Sequence, residues 1–305
     1  VLVLMAAYNG ATWIEEQVRS ILAQQEVELR LTIADDGSSD GTAAVLERLA
    51  AEHPAIRLAR FERPSGSAAA NFTRLLCEAE LSNVDWVALA DQDDVWLPGK
   101  LARACHTLAS GEGFDGYSSN VDALFPDGRR EPLDKASPQR RHDHYFESPG
   151  PGCSFVLSRR LVQALVPVLQ RIREGARLFG YHDWFIYAFA RRAGFRWTID
   201  PAVTMLYRQH AHNVLGANIG VQSRLRRIET MRSGWYFREV RWQYDTLEAC
   251  ADLMPQGQRT LPSDDLRIDT AGARLRFCWR VAPQARRRLA DRMSLAICVL
   301  TGIMR

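Results

Sequence analysis

Apolar and polar positions alternate in blocks through the first hundred residues. Val1 to Ala6 is a continuous apolar run, which predicts a strand buried on both faces. Trp13 to Ala23 carries Trp13, Ile14, Val18, Ile21 and Leu22 at the spacing of one helical face. Leu29 to Ala34 predicts a second strand, Ala43 to Ala51 a second helix, Ile56 to Phe61 a third strand and Ala68 to Ala79 a third helix. Val84 to Ala90 predicts a fourth strand, and Pro98 suits the first turn of the helix that continues through Leu101 to Leu108. Four alternations predict an α/β fold, with a mainly parallel central sheet flanked by helices.

Beyond Lys100 the pattern loosens. Gly116 to Leu124 predicts another strand, and the polar, histidine-bearing stretch Asp127 to Ser148 a long loop. Leu161 to Ile172 and Trp184 to Arg192 read as helices, the second closed by Gly194. Trp197 to Leu206 is extended, and Pro201 makes it an edge or irregular strand. Past Gly220 the chain is mainly helical and arginine-rich. The expected division is a catalytic domain over 1–218, in halves of about 1–110 and 111–218, and a helical basic region over 219–305.

Charge sharpens that division. The chain has 305 residues and a net charge of +3, too little to indicate nucleic-acid binding. Arg224, Arg226, Arg227, Arg232 and Arg238 nevertheless follow one another, and Arg286, Arg287 and Arg288 precede an apolar run from Leu295 to Met304. That run is too short to span a bilayer, so residues 285–305 either make peripheral membrane contact or serve oligomerisation or packing over the catalytic domain. Cys77, Cys105, Cys153, Cys250, Cys278 and Cys298 show no short paired spacing, which argues against zinc and a disulfide scaffold. With no basic leader at Val1 to Met5, a cytoplasmic location is expected.

The most informative run is Asp91-Gln92-Asp93-Asp94, directly after the fourth strand. Three carboxylates within four positions repel one another, and a hard cation such as Mg²⁺ or Mn²⁺ would neutralise them. A solvated acidic loop is equally open at this point, and Asp94 alone could cap the next helix. Two further polar segments follow strands: Ala6-Ala7-Tyr8-Asn9-Gly10 and Asp35-Asp36-Gly37-Ser38. A parallel sheet brings all three to its carboxyl edge, where such sheets bind ligands. Tyr207-Arg208-Gln209-His210 and His212-Asn213 come far downstream.

This ordered set resembles the family 2 glycosyltransferases, inverting enzymes of the GT-A fold that use nucleotide sugars. The resemblance covers residues 1 to about 215. Asp91-Gln92-Asp93-Asp94-Val95-Trp96 and Tyr207-Arg208-Gln209-His210 are similar to segments of bacterial rhamnosyltransferases of surface-polysaccharide synthesis. It implies a GT-A-type nucleotide-sugar-binding fold with a mainly helical C-terminal region. Asp93 would hold Mg²⁺ or Mn²⁺, with His210 as second ligand and His212 as its competitor. Asp91 would contact the ribose or the sugar. Asp36 would read the imide of uracil or thymine, unless Asp35 does so. Ala6 and Tyr8 would lie at the nucleotide, where Tyr8 either stacks on the base or is a packing aromatic. Arg208 would meet the diphosphate.

Many members carry Glu-Asp at the start of an acceptor-side helix; this chain has His182-Asp183. Asp183 would be the general base, the alternative being an ordinary helix cap. Trp184 and Cys153 are assigned to acceptor binding, and His182 either contacts the acceptor or packs locally.

The expected activity is transfer of a sugar, first rhamnose from dTDP-rhamnose, to a saccharide acceptor. That acceptor would be lipid-linked, at the inner face of the cell membrane. A sugar-nucleotide pyrophosphorylase would need a glycine-rich loop with a basic residue, whereas Val1 to Gly10 has one glycine and no lysine or arginine. A non-catalytic nucleotide-sugar-binding module would have no need of Asp36, Asp93, Asp183 and His210 together. Arg241-Trp242 matches part of the Gln-x-x-Arg-Trp motif of processive synthases, but position 238 is Arg238. One sugar, or a few, per binding event is therefore expected.

Overall fold

A computed structural model describes residues 1–175, 177–210, 229, 232–255 and 261–304. The first half is built from β1 (Leu2–Ala7), α1 (Ile14–Leu22), β2 (Arg30–Asp35), α2 (Thr42–Glu52), β3 (Ile56–Ala59), α3 (Ala68–Cys77), β4 (Trp86–Asp91), β5 (Val95–Trp96) and α4 (Lys100–Ala109). It continues through β6 (Phe114–Leu124), β7 (Arg130–Leu133), β8 (Val156–Ser158), α5 (Arg159–Arg173), α6 (His182–Arg192) and β9 (Arg196–Arg208). Helices α7 (Trp235–Ala249), α8 (Ala271–Arg280), α9 (Ala282–Ala285) and α10 (Leu289–Leu300) complete it.

The strands form one sheet in the order β3-β2-β1-β4-β8-β6-β9-β5, with β7 pairing β6. Strands β3, β2, β1 and β4 are parallel, as the block pattern predicts. All six residues of β1, at the centre of this parallel set, are buried. The antiparallel strand β8 then switches the sheet to mixed pairing. Strand β9 runs parallel to β6 and antiparallel to β5. Pro201 lies where the β6–β9 register jumps from Ser119↔Asp200 to Asn120↔Val203. This is an irregularity inside the sheet, a position proline tolerates because no ladder hydrogen bond is needed there.

The polar stretch after Leu124 is more ordered than its composition predicts. Gly128 adopts φ +82°, and Phe125 donates its N–H to Arg129 O at 2.9 Å. Pro126-Asp127-Gly128 therefore makes a tight turn that folds β7 back on β6. A short 3₁₀ turn follows at Asp143–Tyr145.

Two apolar clusters sandwich the sheet. One joins α1, α2 and α4; the other joins α3, α5 and α6 and runs on into α7–α10. Leu295, Val299 and Met304 of the C-terminal segment belong to the second cluster. All six cysteines are unpaired. Among the described residues, no helix is long and apolar enough to cross a membrane. The boundary expected near residue 218 lies outside the described residues, as do His212, Asn213, Arg224, Arg226 and Arg227.

Candidate active site

Strand register builds the site. Ala6 pairs with Ala34 on one side and with Asp91 on the other, and Ala7 pairs with Asp35. The loops after β1, β2 and β4 therefore open side by side. Asn9 at φ +49° turns the first loop; its N–H donates to Ser38 Oγ at 2.8 Å and its Oδ1 accepts from Ser39 N–H at 2.9 Å. Ala6 is buried, so backbone is what it offers there, while Tyr8 stands 58% exposed at the lip. The Gln92 side chain acts as an extra rung: Tyr8 N–H donates to its Oε1 and its Nε2 donates to Tyr8 O, both at 2.7 Å. Gly10 makes room for that amide, since a Cβ there would meet Gln92 Oε1 at 2.3 Å.

Asp36 is buried and receives four hydrogen bonds. Ser65 N–H at 2.5 Å and Arg74 Nη2 at 2.8 Å reach Oδ1; Ser65 Oγ and Gly66 N–H, each at 3.0 Å, reach Oδ2. These fill the acceptor capacity of a carboxylate. An incoming base can be read by Asp36 if the Ser65 hydroxyl rotates away, since hydroxyls turn freely. Asp35 is engaged differently, accepting from the Ser38 hydroxyl and N–H.

The acidic loop is tied to the end of β9. Asp93 Oδ2 lies 2.6 Å from His210 Nε2 across 117 positions of sequence. The His210 ring stacks on Trp13 at 4.1 Å and 15°. Arg208 spans the same seam: Nε donates to Asp93 O at 2.8 Å, Nη2 meets Glu16 at 2.6 Å, and its N–H donates to Asp94 Oδ1 at 3.2 Å. Asp94 is fully buried and so braces β9, while Gly99 occupies the cap position of α4. This corrects the capping alternative. Burial, with the charge of Asp93, pushes Asp91 up to about 7. Ligand atoms of Asp91, Asp94 and Cys153 lie within 4.8 Å of one another. Lys100 is buried behind them with its Nζ 3.9 Å over the Trp96 ring, and burial lowers it to about 8. Crowded carboxylates with an imidazole alongside form a donor set suited to a hard divalent cation.

Asp183 is the second residue of α6. Burial raises its pKa; the Trp184 N–H, the Ser148 hydroxyl and the charge of Lys135 oppose that rise. Its negative charge reaches Asp91, which places both carboxylates in one electrostatic field. The three residues assigned to the acceptor need correction. His182 stacks on Phe72 at 4.1 Å, its Nε2 is sealed from solvent, and burial pushes it down to about 3. Trp184 is buried, donating Nε1–H to His144 O at 3.1 Å and stacking on Tyr236. Cys153 is fully buried against Asp91 and Asp94. Those side chains support the wall; Ser148 and Lys135 are the polar groups that reach Asp183.

The arginine triplet is likewise not a free basic patch. Arg287 Nη2 donates to Ser148 O at 2.6 Å, and Nη1 lies 3.5 Å from Asp143 Oδ2. Arg286 Nη1 donates to Phe146 O at 2.9 Å and to Tyr236 Oη at 3.1 Å. Arg288 pairs with Asp134 at 3.0 Å and alone remains half exposed. Asp143 is completely buried and also takes Tyr187 Oη and Arg191 Nη1, each at 3.1 Å. The start of the tail thus clamps the 143–148 segment beside Asp183. Gln92, Trp13, Glu16, Ser148 and Arg287 were not anticipated as site residues. Of these only Gln92 carried a local signal, its place between two motif carboxylates.

Comparison with known proteins agrees with this edge. Residues 2–163 match the family described as Glycosyl transferase family 2. The chain is 38% identical over 237 residues to the dTDP-rhamnosyl transferase RfbG of Shigella flexneri, covering 77% of this chain and 82% of that one. It is 32% identical over 136 residues to the putative teichuronic acid biosynthesis glycosyltransferase TuaG of Bacillus subtilis, covering 44% and 50%. Among solved structures, S. aureus TarS 1-349 superposes with a TM-score of 0.56 at 13% identity, covering 99% of this chain and 80% of that one. The mannosyltransferase PcManGT from Pyrobaculum calidifontis, in complex with GDP-Man and Mn²⁺, gives 0.52 at 19% identity, covering 99% and 86%. These likenesses show a shared GT-A fold. With its parallel half-sheet, its carboxylate edge and this extent of sequence identity, the chain belongs to glycosyltransferase family 2 and is a glycosyltransferase.

Proposed function

We propose that this chain is an inverting, divalent-metal-dependent transferase that moves rhamnose from dTDP-rhamnose to a saccharide acceptor during surface-polysaccharide assembly. The donor rests on the 38% identity to a dTDP-rhamnosyl transferase that spans most of both chains. The acceptor is lipid-linked and met at the inner face of the membrane, where the enzyme works peripherally. The observation that carries the reading is the meeting of Asp93 and His210 at 2.6 Å within electrostatic reach of Asp183 through Asp91. A pyrophosphorylase has no use for a base facing the metal loop.

Asp93 and His210 would hold Mg²⁺ or Mn²⁺, which when bound supplies positive charge to the departing diphosphate. The remaining work falls to the chain itself. Backbone at Ala6, the Tyr8 ring and Asp36 bind and orient the nucleotide. Asp91 receives the ribose or the sugar. Arg208, held by Glu16 and the Asp93 carbonyl, brings a cation to the diphosphate side of the loop. Asp183 takes the proton from the acceptor hydroxyl as that oxygen attacks the anomeric carbon from the face opposite the nucleotide. Its amino-terminal place in α6 favours the ionised form, against its burial. Ser148 fixes the carboxylate's direction.

A thermal-shift panel of dTDP, UDP, GDP and CMP sugars with either metal tests the donor, since stabilisation follows occupancy of the native state. dTDP-rhamnose is expected to give the largest shift, and to release dTDP only when a saccharide acceptor is added. A larger shift from GDP- or CMP-sugars would overturn the donor assignment.

A further inference from the structure

Six of the seven large apolar side chains that stand exposed among the described residues lie within one short stretch of chain. On α8 they are Leu275 and Trp279, one turn apart. On α10 they are Leu289, Met293, Ile297 and Leu300, spaced at four, four and three residues along one helical face. The opposite faces of the same helices are filled: Ala273 and Phe277 on α8, and Leu295 and Val299 on α10, are buried. The two helices lie antiparallel. Cys278 Sγ contacts Ala296 O at 3.6 Å, and Arg274 sits against Gly302. With core side and contact side both assigned, the six exposed residues share the outward surface of the pair. Trp279 is 85% exposed, a state a soluble surface rarely imposes on tryptophan.

The charge around this surface selects its occupant. Residues 271–304 contain seven arginines and one acidic residue, Asp291. Arg286 and Arg287 are consumed by the clamp on residues 143–148, but Arg280 remains 61% exposed and Arg288 50%. Acidic partners of these arginines, Asp265 and Asp134, lie outside the two helices. An apolar face bearing one tryptophan and edged mainly by arginine suits the headgroup boundary of an anionic bilayer.

We propose that the outward face of α8 and α10, led by Trp279, docks the enzyme onto anionic phospholipid. This deepens the reading of a lipid-linked acceptor given above and rests on it. The Arg286–Arg288 clamp joins the docked helices to the segment beside Asp183, so the surface and the acceptor side move as one body. Membrane contact thus comes from α8 as well as residues 285–305, through apolar side chains more than through the arginine triplet.

The test is cosedimentation of the full chain with vesicles of phosphatidylglycerol mixed with phosphatidylcholine, and with phosphatidylcholine alone. Wild type is expected to bind the anionic vesicles and to bind the neutral ones far less. Trp279→Ser with Ile297→Ser should weaken anionic-vesicle binding about tenfold or more, since both apolar side chains would leave the headgroup boundary. Thermal stability and transfer to a water-soluble acceptor should stay at wild-type level. These readouts also separate the two readings: loss of transfer with vesicle binding intact would count against the enzyme mechanism alone. Equal vesicle binding by wild type and variant would overturn the docking surface. So would a wild-type dimer that the substitutions convert to a monomer, because the face would then belong to a second copy.

Discussion

The half of the molecule that carries Asp36 and Asp93 and the half that carries Asp183 are held together by different means. In the first, Asp36 and Asp93 follow the ends of β2 and β4, the two parallel partners of β1. Ala6, Ala34 and Asp91 are aligned by the parallel ladder, with Gln17 donating to Asp91 O and Asn71 to Ala34 O. In the second, the residues around Asp183 are placed by side-chain contacts that span nearly half of the chain. Arg287 reaches Ser148 across 139 positions, and Asp143 gathers Tyr187, Arg191 and Arg287 into one buried cluster. The donor side carries one buried ion pair, Asp36 with Arg74, whereas the acceptor side rests on the Asp143 cluster, where one lost partner leaves a charge uncompensated. The acceptor side should therefore be the fragile one.

The largest effect expected tests the ladder-built half. Asp93→Asn should leave the fold intact and lower kcat/KM on the order of 10⁴-fold, several kcal/mol of charge stabilisation. Unchanged transfer by this variant under strict chelation would remove the metal from the mechanism. Asp183→Asn should cost about 10³-fold in kcat while calorimetric donor affinity stays near wild type. Weak donor binding with normal saturated turnover would move Asp183 out of the base role.

Arg287→Ala puts the comparison itself at risk. It strips a buried partner from Asp143, and a fall in unfolding free energy of about 3 kcal/mol is expected, with a lowered kcat. A melting temperature equal to wild type would mean that the acceptor side is as self-sufficient as the donor side. The smallest effect concerns pH. Asp183 is raised above the ordinary carboxylate range and acts while ionised, so activity should fall as pH drops through its pKa. The Lys135 cation holds that pKa down, so Lys135→Met should move the acid limb of kcat to higher pH. A limb that moves to lower pH would show that Lys135 does not act on the base.

The same contrast explains how much of the site is legible in the sequence. Strand blocks, the three carboxyl-edge loops and the helix opening at Asp183 follow from local pattern, because apolar runs and turn residues report on their own neighbourhood. Trp13 beneath His210, Glu16 on Arg208 and Arg287 on Ser148 have no such pattern; each is an ordinary residue until the sheet closes. His182, Trp184 and Cys153 sit beside candidate site positions yet turn inward, since sequence neighbours on a helix start or tight turn face different ways. The arginine triplet reads as a solvated patch only while Asp143 and Glu147 are not known to lie beneath it.

The contact between Gly10 and Gln92 has an evolutionary corollary. The amide at 92 occupies the space a methyl group at 10 would need. The dependence has a direction: a side chain at 10 must wait for a shorter residue at 92, and a shorter residue at 92 releases the constraint on 10. Among descendants of this chain the two sites should be inherited as a pair. A Gly10→Ala, Gln92→Ser double variant should then retain more function than Gly10→Ala alone.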